Sequence, residues 1–235
     1  DEPAHETRGP GAASDPLGPL PAAPRLPPPL RPSGAGYTPD DETAEPAGPA
    51  ASPVLDPDRE PSLAQSRGIA VHRLLQLLPS VPGPERAAAL ERYLGSVASS
   101  WPQAERDRVA DSVAGILADP AFAGVFAPGS RAEVSLIGEV DAGGRSWSVS
   151  GKVDRLAVSD DEVLIVDYKT GRLIPRNAAQ VPENYVRQLA IYRALLKSVY
   201  PGRTVRAALL FTEAPKLVQL DPETLDTALA ALTTP

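Results

Sequence analysis

Proline placement limits where this 235-residue chain can fold, because 15 of its 28 prolines fall within the first 60 residues. Runs such as "PLPAAPRLPPPLRP" and "EPAGPAASPVLDPDREP" favour extended chain. They also hold few large apolar side chains with which to offset the entropy of ordering. Residues 1–62 are therefore expected to be an acidic, Pro-rich linker, largely disordered, with the folded domain over residues 63–235. Charge divides at the same place. The first 60 residues carry 11 acidic and 4 basic side chains, which accounts for the net −7 of the whole chain. From residue 61 onward 19 acidic and 19 basic residues remain, of 30 and 23 in all. A neutral domain is neither drawn to nor repelled from a polyanion by net charge, and a bound divalent cation would make it more positive. Charge alone neither excludes DNA nor demands it.

With no cysteine, the chain cannot supply a disulfide framework, a thiolate zinc site or an iron–sulfur cluster. No apolar run approaches the roughly 18 residues of a membrane span, and the N-terminus lacks the basic region and apolar core of a secretory signal. A soluble cytoplasmic protein is expected, with no membrane among its partners. The chain opens at Asp1 and contains no methionine, so it reads as a piece of a longer polypeptide that begins within a linker. It contains no G-x-x-x-x-G-K-[ST] loop, so any ATP chemistry would lie in another part of that polypeptide.

Helices come first and a sheet later. In "QSRGIAVHRLLQLLP" the residues Val71, Leu74, Leu75 and Leu78 make one apolar helical face that Pro79 stops. "ERAAALERYLGSVASS" reads as a second helix, and "QAERDRVADSVAGILADP", with a stripe of Val109, Val113, Ile116 and Leu117, as a third. The period then changes. "EVSLIGEV", "WSVSGKVDRLAV" and "EVLIVDYKT" are β-branched runs separated by "DAGGRS" and "SDD", the pattern of an antiparallel meander. "NYVRQLAIYRALLKSVY" is a helix, "TVRAALLFT" a strand and "DPETLDTALAALT" a last helix. The sum is an α/β fold, a mixed sheet flanked by helices behind a helical lead-in.

The chemistry sits where two strands of the meander pair. Asp154 lies in "GKVDRL", and Asp167, Tyr168 and Lys169 end the next run after "VLIV". A tight turn between them would bring the two carboxylates together, and they would repel unless a cation lay between; a hard divalent ion such as Mg²⁺, with its preference for oxygen ligands, answers that need. Lys169 is two residues beyond Asp167 and so shares its face of the strand. From there it can orient or stabilise an attacking water and offset phosphate charge. An isolated D-x-K tripeptide is common, and on its own it equally describes a solvated strand end.

The ensemble is more specific. In order and spacing, "RGIAVHRLLQLLP", "RAEVSL", "GKVDRLAV", "VLIVDYKTG" and "RQLAIYRALL" resemble the RecB-type branch of the PD-(D/E)xK nuclease superfamily, and within it the C-terminal nuclease domain of the AddA subunit of bacterial AddAB helicase-nucleases. The resemblance covers roughly residues 66–230, and no catalytic position of the pattern is substituted. It implies a restriction-endonuclease-like PD-(D/E)xK core. It implies further that His72, Asp154, Asp167 and the backbone carbonyl of Tyr168 bind metal, and that Lys169 is catalytic together with Asp154 and Asp167. Mg²⁺ is the implied cofactor, with Mn²⁺ able to substitute. Without that context, a lone histidine at the edge of an apolar stripe, as His72 is, would more often be structural.

Glu133 in "RAEVSL" matches an acidic position of the family and reads equally well as a ligand of support or an exposed strand carboxylate. Gln188 and Tyr192, four apart on one helical face, match the family's Q-L-x-x-Y motif; the implied role is to bind the lysine or the DNA backbone, and packing against the sheet is the alternative for Tyr192. Arg172, Arg176 and Arg187 flank the site and are candidates for phosphate contact.

The implied activity is metal-dependent hydrolysis of single-stranded DNA, of the 3′-terminated strand, during end resection of double-strand breaks. The implied partners are the helicase domains of the parent polypeptide and an AddB subunit in a heterodimer, in the bacterial cytoplasm at the nucleoid. The partner's nuclease carries an iron–sulfur staple that a cysteine-free chain cannot. Two other readings are a non-catalytic docking module, against which intact Asp154, Asp167 and Lys169 count, and a stand-alone phage-type exonuclease, against which the long linker counts.

Overall fold

The computed structural model describes residues 29–32, 62–171 and 174–232; the rest of the expected linker, 1–28 and 33–61, lies outside them. Three helices lead: α1 (Leu63–Leu77), α2 (Arg86–Val97) and α3 (Gln103–Ala118). Ser62 starts α1 with a capping box, its hydroxyl accepting from the Gln65 N–H at 3.2 Å while its own N–H donates to the Gln65 side chain at 2.8 Å. The stripe of Val71, Leu74, Leu75 and Leu78 is buried throughout, as are Val109, Val113 and Ile116 on α3.

Five strands follow in the spatial order of the sequence: β1 (Arg131–Ala142), β2 (Arg145–Val158), β3 (Glu162–Lys169), β4 (Thr204–Phe211) and β5 (Lys216–Leu220). The first three form the expected antiparallel meander. Its first turn tightens to Gly143 and Gly144, with φ of 58° and 78°, the left-handed pair of a type I′ hairpin turn. β3 and β4 run parallel, joined by the crossover helix α4 (Glu183–Val199), and α5 (Pro222–Ala230) closes the described chain. The sheet is mixed and flanked by helices, as expected, with one strand more than the sequence suggested. β5 pairs antiparallel with β4, Ala207 opposite Leu220 and Phe211 opposite Lys216. An edge strand of five residues needs only a brief apolar pattern, and Lys216 and Gln219 break that pattern up.

Helices cover both faces of the sheet. Val163, Ile165, Ala207, Leu209 and Phe211 pack with Leu189 and Leu196 of α4, whereas Val166, Tyr168, Ala208 and Leu210 pack against the lead-in helices. Burial on both sides explains why "VLIV" and "AALLF" read as unbroken apolar runs. Among the described residues, no helix is long and apolar enough to cross a membrane.

β2 is longer than its pairing with β3, which begins only at Arg155, so one edge of its first half is left open. Leu30, from within the expected linker, docks there. Its N–H donates to the Ser148 carbonyl at 2.7 Å and its carbonyl accepts from the Ser150 N–H at 3.0 Å. An open edge offers such unpaired groups. Within the expected linker, Leu30 thus pairs with the sheet edge.

Gly151 lies under the ring of Tyr192: a Cβ there would sit 2.5 Å from the tyrosine hydroxyl and 2.7 Å from Cε1. Tyr192 is fully buried and has nowhere to retreat. Gly151→Ala is therefore expected to destabilise the domain by about 1–3 kcal/mol through overpacking, read as a lower denaturation midpoint in urea; an unchanged midpoint would show that the ring is free to shift.

Candidate active site

The β2/β3 ladder runs from Val158 opposite Val163 to Arg155 opposite Val166 and ends there. The next pair in that register would set Asp154 against Asp167, two like charges face to face. The strands part instead, and the Asp154 Oδ2 accepts the Tyr168 N–H at 2.7 Å. β3 stays paired with β4 as far as Lys169 opposite Phe211, and the Thr212 N–H donates to the Lys169 carbonyl at 2.9 Å. The Asp-Tyr-Lys segment is thereby held firmly from one side while the other side opens into the site.

Alternation along β3 turns Asp167 and Lys169 towards α4, and Tyr168 to the opposite layer. Asp167 is almost wholly buried. Its Oδ1 accepts from the Gln188 side-chain amide at 3.0 Å, and its Oδ2 lies 2.9 Å from the Lys169 ammonium. That ammonium donates in turn to Gln188 Oε1 at 3.2 Å and rests 3.8 Å from the centre of the Tyr185 ring. One orientation of the Gln188 amide satisfies both neighbours, its NH₂ on the carboxylate and its oxygen on the ammonium. Burial pushes the Asp167 carboxyl above its ordinary value; the Lys169 charge opposes this and the Asp154 charge adds to it.

On the other side of the split stand His72 from α1, Glu133 from β1 and Asp154 from β2. One ligating atom from each lies within 4.8 Å of the others. His72 Nδ1 is 3.4 Å from Asp154 Oδ1, and its ring packs edge-on against Tyr168 with centroids 5.4 Å apart. Glu133 has φ of 55°, the single non-glycine residue in the left-handed region among the described residues. Ala132 and Val134 on either side pair with Arg155 and Val153, so the twist occurs directly opposite Asp154. Strain of this kind persists where the surroundings hold it, and functional sites are where it gathers. Desolvation works against a charged His72, but the hydrogen bond and charge of Asp154, with Asp167 and Glu133 behind, outweigh it and raise the imidazole above its ordinary value. Lys152, 2.9 Å from Glu133 Oε2, is raised by that partner.

One imidazole and two carboxylates, with the Asp167 carboxylate close behind, suit a hard divalent cation such as Mg²⁺ or Mn²⁺. Of the residues expected to bind metal, His72 and Asp154 fall in the close trio. Asp167 lies behind them with its oxygens on Gln188 and Lys169, and Tyr168 contributes its N–H to Asp154 and its ring to His72. Tyr192, one turn beyond Gln188 on α4, is buried in the core, where its hydroxyl accepts from the Lys152 N–H of β2 at 3.3 Å. Arg176 is exposed, Arg187 is partly buried and Arg172 lies outside the described residues.

Two contributors were not singled out from sequence. Tyr185 was hidden because its contact with Lys169 crosses from α4 to β3. Arg67 left a visible signal, since it stands in the apolar stripe of α1, four residues before Val71. It is buried and pairs with Glu105 of α3 at 3.2 Å and with Glu213, after β4, at 3.1 Å, clamping the His72 helix to the sheet.

The sequence profile of the PD-(D/E)XK nuclease superfamily matches residues 50–233 of this chain. No curated protein matches it. Among solved structures, one titled "Crystal structure of SSO0001" is 15% identical, covers 69% of this chain and 81% of its own, and superposes with a TM-score of 0.31.

A raised His72 stabilises the cation-free fold fully below the unfolded histidine value of about 6.5. That contribution is lost as pH rises through the higher folded value. In EDTA, therefore, the thermal midpoint of the wild type should fall more between pH 6 and pH 8 than that of His72→Asn; parallel curves for the two proteins would refute this account of His72.

Proposed function

This chain belongs to the PD-(D/E)XK nuclease superfamily, and from that premise we propose that it hydrolyses phosphodiester bonds of single-stranded DNA at the Asp154–Asp167–Lys169 site. Superfamily members are nucleases that use divalent metal ions. The observation that carries the reading is the position of Lys169, whose ammonium is fixed by Asp167, Gln188 and Tyr185 beside a trio of cation-ligating groups.

His72, Glu133 and Asp154 would hold the cation, with Asp167 behind them. A divalent cation bound there would make water a stronger nucleophile and draw charge from a phosphate oxygen. Lys169, held by Asp167 and Gln188, would present its ammonium where negative charge grows on the phosphate under attack. Gln188 sets the direction of both groups. Tyr185 covers the ammonium with an aromatic face, which limits its wandering without neutralising it. Tyr192 and Arg67 act at one remove, by holding β2 and α1.

We extend the proposal to a place in a helicase-nuclease of the AddA type, acting on the 3′-terminated strand in resection of double-strand breaks with an AddB partner. Support for this finer reading comes from the order of the motifs and the Pro-rich stretch before them.

The test is cleavage of end-labelled single-stranded DNA by the purified chain in Mg²⁺, Mn²⁺ or EDTA. Hydrolysis should require the cation and drop by at least about 10²-fold in Asp167→Ala and in Lys169→Ala, the usual scale for losing one electrostatic group of an active site. Comparing 3′- and 5′-labelled strands reads the polarity. Cleavage that persists in both variants would place the chemistry elsewhere, and cation binding without any cleavage of DNA would favour a docking role.

A further inference from the structure

Two lysines stand at the acidic cluster, and they are held in different ways. Lys169 is enclosed by a carboxylate, an amide and an aromatic ring, with its side chain 16% exposed. Lys152, on β2 two residues ahead of Asp154, has a side chain 55% exposed and reaches Glu133 Oε2 at 2.9 Å. The base of Lys152 is fixed, since its N–H donates to the buried Tyr192 hydroxyl. Its tip is on a flexible four-carbon stem and carries a compact charge.

What sets Lys152 apart from an ordinary surface lysine is its partner. Glu133 is also one of the three groups able to hold a cation, so a single carboxylate faces two positive claimants. A carboxylate drawn onto a divalent ion has less charge to offer an ammonium, and the ion and the ammonium repel one another at such range. A cation held there would therefore weaken the grip of Glu133 on Lys152, whose half-exposed side chain would be left with a charge to place elsewhere.

We propose that Lys152 exchanges partners during binding: it holds Glu133 before the divalent cation arrives, and once the cation takes Glu133 it grips a backbone phosphate of the DNA strand. The strand half of this rests on the nuclease reading above; the cation half does not.

The experiment uses Lys152→Met, which keeps the aliphatic stem, and Lys152→Arg. Mn²⁺ binding is followed by calorimetry, and binding of a single-stranded oligonucleotide is followed across a salt series in Ca²⁺, so that binding is measured apart from cleavage. Lys152→Met should bind Mn²⁺ more tightly, by up to about fivefold, the scale of one exposed ion pair. Its log–log salt slope for DNA should be shallower by about 0.7, the loss of one phosphate contact on a single strand. Lys152→Arg should restore the slope. Mn²⁺ affinity unchanged or weakened in Lys152→Met overturns the exchange, and a tighter Mn²⁺ with the wild-type slope overturns the phosphate contact. A wild type that takes Mn²⁺ but no DNA overturns the DNA reading as well, and is told apart because it appears without any variant.

Discussion

The hydrogen bond from the Tyr168 N–H to the Asp154 carboxylate, at 2.7 Å, stands where a ladder bond between β2 and β3 would otherwise be. It resolves a conflict of charge. Continued pairing would press Asp154 against Asp167, whereas the side-chain bond satisfies a buried backbone donor and lets the strands diverge. The opening this creates is the site. Its two carboxylates end on opposite sides of the split, Asp167 towards α4 and Asp154 towards α1, and each meets a different set of partners.

That division explains why the site needs both helical layers. α4 supplies Gln188 and Tyr185, which fix Lys169, and α1 supplies His72 to the other carboxylate. Each layer combines apolar packing with a buried guanidinium. α4 is the crossover between parallel strands, packs with Leu189 and Ile191 fully buried, and is bonded to β4 through Arg193, whose Nε donates to the Val205 carbonyl at 3.0 Å. α1 is not constrained by strand connection in that way, and it carries in addition the buried guanidinium of Arg67, paired to α3 and to the chain after β4. A buried ion pair is weak as a source of stability but exacting in geometry, which suits a helix whose task at the site is to present one imidazole.

Much of this architecture was legible in the residues. The stripe from Val71 to Leu78, the doubly apolar runs of β3 and β4, and the period-two spacing of Asp167 and Lys169 follow from local periodicity, and each appears in the fold. β5 did not, because an edge strand buries little and so leaves a faint pattern. The docked Leu30 did not either, since a single backbone pairing imposes no side-chain requirement on a Pro-rich stretch.

At the site, the amino-acid sequence by itself determined which groups could do chemistry and on which elements they lie: His72 on a helix, Asp154 and Asp167 on neighbouring strands, Lys169 on the face of Asp167, Gln188 on the next helix. Tertiary structure decided which of them meet. It drew Glu133 into the trio with His72 and Asp154 through a left-handed turn of backbone, set Asp167 back onto Lys169 and Gln188, and sank Tyr192 into the core. Period and propensity are local and can be read along the chain, whereas the distance between carboxylates from different strands depends on where a ladder ends and on what charge repulsion there forces apart.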